Sequence, residues 1–181
     1  MILFYIFTFL AFLFSSDTNQ PKVIQNTQKD THRYLYVAVP GIRNYLEYGG
    51  HGLLVFDIDQ GHKFVKRIPC QGLAPDGTPS NGKGIDVSLF TQCVYISTIH
   101  TLQCMDLKTE KIIWEKKFEK GCDRLSISPD GKEIYVPSFE KDDWYIIDAK
   151  TGNLKQTISP DIKAHNTIYG NNDKENIPGR T

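Results

Sequence analysis

LSISPDGKEIYVPSFEKDDWYIIDAKTGN, residues 125–153, is the stretch that decides the fold. Its apolar residues fall in short runs, Ile134 to Val136 and Trp144 to Ile147, rich in β-branched and aromatic side chains and bounded by turn formers, as strands are. Pro129, Asp130 and Gly131 make the first turn: proline presets φ, and glycine supplies an easy positive φ. Asp148 opens the second. Its carboxylate can accept backbone N–H bonds across the turn, and Gly152 can take the left-handed conformation that a bulged hairpin asks for.

The unit recurs when the chain is laid on itself. IDVSLFTQCVYIS (85–97) lies over 125–137, pairing Val87 with Ile127, Val94 with Ile134 and Tyr95 with Tyr135. LQCMDLKTE (102–110) lies over 144–152, so that Asp106 matches Asp148 and Thr109 matches Thr151. Glu110 stands where the later copy has Gly152, and must either adopt the left-handed conformation at a cost or use a different turn. A third copy precedes these: YLYVA (34–38) is its second strand, and LLVFDIDQG (53–61) its third strand and turn, with Asp57 in the place of Asp106. A fourth begins at NTIYG (166–170).

Four strands in a unit of about 40 residues is the arithmetic of a propeller blade. A β-sandwich also has regular short strands, but it does not predict the same turn chemistry at the same place in successive units. The expectation is an all-β chain: a partial β-propeller of about three four-stranded antiparallel blades plus the first strand of a fourth. The propeller spans 33–170, with blades at 33–69, 83–118 and 121–159 and the start of a fourth at 164–170. Residues 22–32 offer no credible first strand for blade one.

These stretches resemble the YVTN-repeat propellers and the wider quinoprotein amine dehydrogenase-like group. Residues 125–136 are similar to that family's blade-opening motif, and 147–153 to its turn. DLKTEKIIWE (106–115) resembles the D-x-x-T-G-x-x-x-W pattern, in which the tryptophan packs on the next blade; the resemblance assigns that docking role to Trp114. Glu110 departs from the glycine, and Gln156 and Val65 stand where blades three and one would carry the tryptophan. Such families close a ring of about seven blades, so the expectation is a truncated version of a longer protein. The resemblance specifies architecture rather than activity.

Residues 2–14, ILFYIFTFLAFLF, carry no charge and no proline before the chain turns polar at Ser15. At about 1.5 Å per residue the run reaches only about 20 Å, short of a hydrocarbon core of about 30 Å. Residues 1–16 therefore read as a secretory signal segment, with an uncleaved anchor as the alternative, followed by a polar linker (17–32) and, at the far end, a polar tail (171–181). The expected location is extracytoplasmic. Lys plus Arg and Asp plus Glu number 21 each, which excludes a strong field toward nucleic acid or an anionic membrane. The four cysteines, 70, 93, 104 and 122, match no metal spacing and read first as small buried apolar residues. Cys93 and Cys104 fall on neighbouring strands of one hairpin, their facing left open by the turn between them.

In a blade, the loops from strand d to the next strand a, and from b to c, share one face around the central channel. Lys83, then Asp123 and Arg124, then His165 and Asn166 enter the inner strands at corresponding positions. The b–c loops add Arg43, Tyr45, His51, His100 and Lys141. Converging charged groups suit a small polar or anionic ligand, although channel mouths are wet and polar in any propeller. No nucleophile elbow, spaced carboxylate pair or phosphate loop appears, so no catalytic, metal or cofactor residue is assigned. Asp57, Asp106, Asp148, Gly152 and Trp114 are structural candidates. The reading is a non-catalytic binding or interaction platform, whose partner is a small polar ligand or a protein, with self-association through open blade faces. The alternative is a fragment of a propeller enzyme, either a quinoprotein-type dehydrogenase or a metal-dependent lactonase-like hydrolase.

Overall fold

The computed structural model describes residues 31–41, 50–69, 72–163 and 165–170. The signal segment, most of the linker, Arg43, Tyr45, Cys70 and the tail lie outside them. From His32 onward the described residues form eleven strands and no helix, in three antiparallel sheets. Blade one holds β1 (Tyr34–Pro40), β2 (His51–Asp57) and β3 (Lys63–Ile68), in that order. Blade two holds β4 (Gly82–Ser88), β5 (Cys93–Thr98), β6 (Thr101–Asp106) and β7 (Ile112–Lys117). Blade three holds β8 (Ser126–Ile127), β9 (Glu133–Pro137), β10 (Trp144–Asp148) and β11 (Leu154–Ile158). The blades are open and do not close into a ring.

The repeat is visible in the ladder defects. Each blade shifts register where its last two strands meet, at Val55/Phe56, Cys104/Met105 and Ile146/Ile147. Gly61, Glu110 and Gly152 sit beside these bulges with φ of 68°, 58° and 71°. Glu110 thus keeps the same turn in the left-handed region. Asp57 accepts the N–H of Gln60, Asp106 those of Lys108 and Thr109, and Asp148 the N–H and hydroxyl of Thr151. These side-chain bonds satisfy N–H groups of the turn that leads from each of these strands into the next.

Because successive residues of a strand face opposite sides, a strand between two blades serves two cores. Cys93 and Tyr95 of β5 pack with Ile127, Ile134, Val136 and Ile147 of blade three. Val94 and Ile96 of the same strand pack with Leu53, Val55 and Ile68 of blade one. All six residues of β5 are buried in consequence. The two facing patterns superpose on the repeat: Val94 and its match Ile134 both face the preceding blade, and Tyr95 and its match Tyr135 both face the following one.

One detail differs from the sequence expectation. Residues 166–170 make no β-ladder, because no second strand follows among the described residues to pair with them. The segment still occupies its repeat position. The Tyr169 N–H donates to Ser126 Oγ at 3.1 Å, as the Ile127 N–H one blade earlier donates to Asp86 Oδ2 at 2.9 Å, and the Tyr169 ring rests on Tyr135. Val87 is a second departure: it is 45% exposed although its match Ile127 is buried.

Candidate functional site

The channel-mouth candidates come from loops that the sheet topology places at one end of each blade. At the entry to blade three, the Cys122 N–H donates to the Ile99 carbonyl and the Asp123 N–H to the Pro137 carbonyl, which holds this stretch against both blades. Asp123 is buried, and its carbonyl accepts the Ser97 hydroxyl at 2.6 Å. Its carboxylate receives the Arg124 N–H at 3.0 Å and lies 2.8 Å from Nδ1 of His165, whose side chain is largely exposed. Asp123 and His165 are 42 positions apart, one repeat, so the pair joins the entries of consecutive copies. Gly84 brings the two inner strands close: a Cβ there would meet the Arg124 Cα at 2.9 Å. Arg124 is exposed and has no ion-pair partner among the described residues.

Other candidates are drawn into structure instead. The Lys83 ammonium lies 4.4 Å above the Phe139 ring, a cation–π contact from blade two to the b–c loop of blade three. His100 pairs with the Ser80 hydroxyl at 3.0 Å. Lys141 and Asn166 are exposed. The sequence expectation places His51 on an open loop beside its glycines. Instead it begins β2, and its ring lies against Gly41, where a Cβ would sit 2.1 Å from Cε1.

Trp114 is half-buried between blades two and three. Its indole N–H donates to the Ala149 carbonyl at 3.3 Å, its ring lies 6.2 Å from that of Tyr95, and Gly152 comes close enough that a Cβ there would be 2.6 Å from Cε3. Two further inter-blade ties had no motif to announce them. Lys66 bridges to Glu110 from blade one to blade two, and Lys120 to Asp143 from blade two to blade three. Asp143 is held below the usual carboxylate range by the Lys120 ammonium and the Ser159 hydroxyl. His32, Asp57 and Asp59 gather at the start of blade one, but His32 bonds Asp57 and Arg33 forks onto Asp59, so the cluster closes on itself.

Neither a protein-family model nor a curated protein matches the sequence. Solved structures do. Sqt1 of Saccharomyces cerevisiae is 15% identical with a TM-score of 0.50, over 58% of this chain and 28% of that one. The dihydro-heme d1 dehydrogenase NirN is 19% identical at 0.50, over 69% and 24%. Hydrazine synthase of Kuenenia stuttgartiensis is 18% identical at 0.51, over 61% and 30%. These are β-propeller proteins, and the likeness shows the fold. The chain spans about a quarter to a third of their length.

Proposed function

We propose that the chain is a propeller segment of the YVTN-repeat or quinoprotein-like kind that works outside the cytoplasm as a non-catalytic binding platform. The observation that carries this reading is the joint at the entries of consecutive repeats. There a buried carboxylate, Asp123, holds an exposed imidazole, His165, and the residue that follows it, Arg124, is exposed as well. An exposed cation without an ion-pair partner and an oriented ring at the same blade entry suit a small polar ligand bearing a carboxylate or phosphate. Thermal unfolding of the chain against a panel of small carboxylates and phosphates tests it. One class should raise the midpoint, and Arg124→Ala or His165→Ala should remove the rise. No rise with any anion, or an equal rise in both variants, would refute the site.

The alternative, a segment of a propeller enzyme, rests on the same Asp123–His165 bond, since a carboxylate on Nδ1 fixes a histidine in the way a general base requires. Two of the similar structures are a dihydro-heme d1 dehydrogenase and a hydrazine synthase. A stoichiometric divalent metal or a quinone absorbance in the purified protein would favour it.

A further inference from the structure

At the opposite end of the blades, where the a–b and c–d turns lie, blades two and three part to leave a cleft of about 660 Å³. Phe90, Tyr95, Cys93, Cys104 and Ile113 of blade two form one wall, and Lys132, Lys150 and Lys155 stand on the blade-three side. The register settles how the two cysteines relate. Cys104 lies opposite Tyr95, and Cys93 opposite Asp106, so the cysteines are diagonal neighbours on one face of the β5–β6 hairpin. Both are free thiols. The Cys93 thiol donates to the Thr91 carbonyl at 3.3 Å.

From this pair we propose a two-thiolate site for a soft monovalent cation of the Cu(I) class. Three features favour an ion over the obvious alternative, a disulfide. Diagonal partners in an antiparallel pair stand about 7–8 Å apart, beyond the roughly 4.4–6.8 Å that a disulfide spans without moving backbone, whereas an ion inserted between the sulfurs adds the missing reach. Thiolates are the ligands that select Cu(I) over harder ions. Binding forms two S–Cu bonds and releases two protons to solvent, with no change of oxidation state, so the centre carries one negative charge. Lys150 is exposed and has no ion-pair partner among the described residues, so the cleft wall, which also carries Asp130 and Asp148, offers one ammonium not already paired.

The test uses the full chain under anaerobic, reducing conditions, with Cu(I) delivered from a chromogenic chelator. One ion per chain should pass to the protein, with a thiolate-to-copper absorption in the ultraviolet. Cys93→Ser and Cys104→Ser should each weaken retention by at least about 100-fold, since loss of even an outer partner of a metal ligand costs 10–100-fold. Should either variant fail to fold, the wild-type chain gives a second readout. Phenylarsine oxide condenses with two adjacent thiols, forming two As–S bonds and releasing one water. Its adduct should sit on the tryptic fragment 84–108, which holds both cysteines, and prior Cu(I) loading should block it. A wild-type chain stripped of Cu(I) as readily as either variant would overturn the site. So would an arsenical adduct on another fragment, or a Cys93–Cys104 disulfide recovered from protein handled without reductant.

Discussion

Gly152 and Glu110 hold the same left-handed position in successive blades, yet they are not interchangeable. At Gly152 a side chain would meet both an unfavourable φ and the Trp114 ring at 2.6 Å. Gly152→Ala should cost about 2–4 kcal/mol, combining roughly 1 kcal/mol for the conformation with 1–3 for overpacking. Glu110→Gly relieves φ but loses the Lys66 bridge and adds freedom to the unfolded chain, so its stability should stay within about 0.5 kcal/mol of the parent. A urea titration reads both, and a Gly152→Ala loss no larger than the conformational part would show that the tryptophan ring yields without resistance. The turn aspartates make a separate prediction. The Thr151 hydroxyl and N–H lower the Asp148 carboxyl, and the Thr109 N–H, with its hydroxyl, lowers that of Asp106. A folded value below the unfolded one means stabilisation that is complete above the unfolded pKa, near ~3.9, and lost as pH falls through the folded value. Asp148→Ala should lose about 1 kcal/mol at neutral pH. The gap should close in acid, and a midpoint difference that persists there would exclude the carboxylate as its source.

Among the elements, the joint at Trp114 carries the sharpest expectation. The indole is only half-buried, so Trp114→Ala should fall near the low end of the usual range, about 3 kcal/mol, while Lys117→Ala on the exposed side of β7 should stay within about 0.5. Chemical denaturation followed by the remaining Trp144 fluorescence reads both, and a Trp114→Ala chain as stable as the parent would leave blades two and three held by other contacts. Much at this scale was legible in the sequence. Asp148, Gly152 and the Pro129–Gly131 turn announce their geometry through local backbone chemistry, which a single unit of sequence contains. Phe139 beneath Lys83, Asp123 against His165, and the Cys93–Cys104 diagonal were not legible, because each depends on how one blade, or one strand, registers on another. Asp86 left a trace: it stands where the next copy has Ser126, and both accept the N–H of the following repeat.

Across the whole molecule the described residues hold strands and no helix, so circular dichroism should be β-dominated, and a helical fraction of about a third, ordinary for a globular domain, would contradict the architecture. Among the described residues the blades are joined only to neighbours. The inter-blade ties named above, from Lys120–Asp143 to Lys66–Glu110, connect residues 23 to 44 positions apart, and the His165 and Tyr169 contacts repeat the pattern one copy later. Such a chain behaves like a row of linked beads under load. Pulled from its two ends, it should yield blade by blade instead of at once, and each event should release one repeat of slack, about 140–150 Å for some 42 residues at 3.3–3.6 Å each. The number of such steps in a force trace would then count the blades of any longer chain in which this segment occurs.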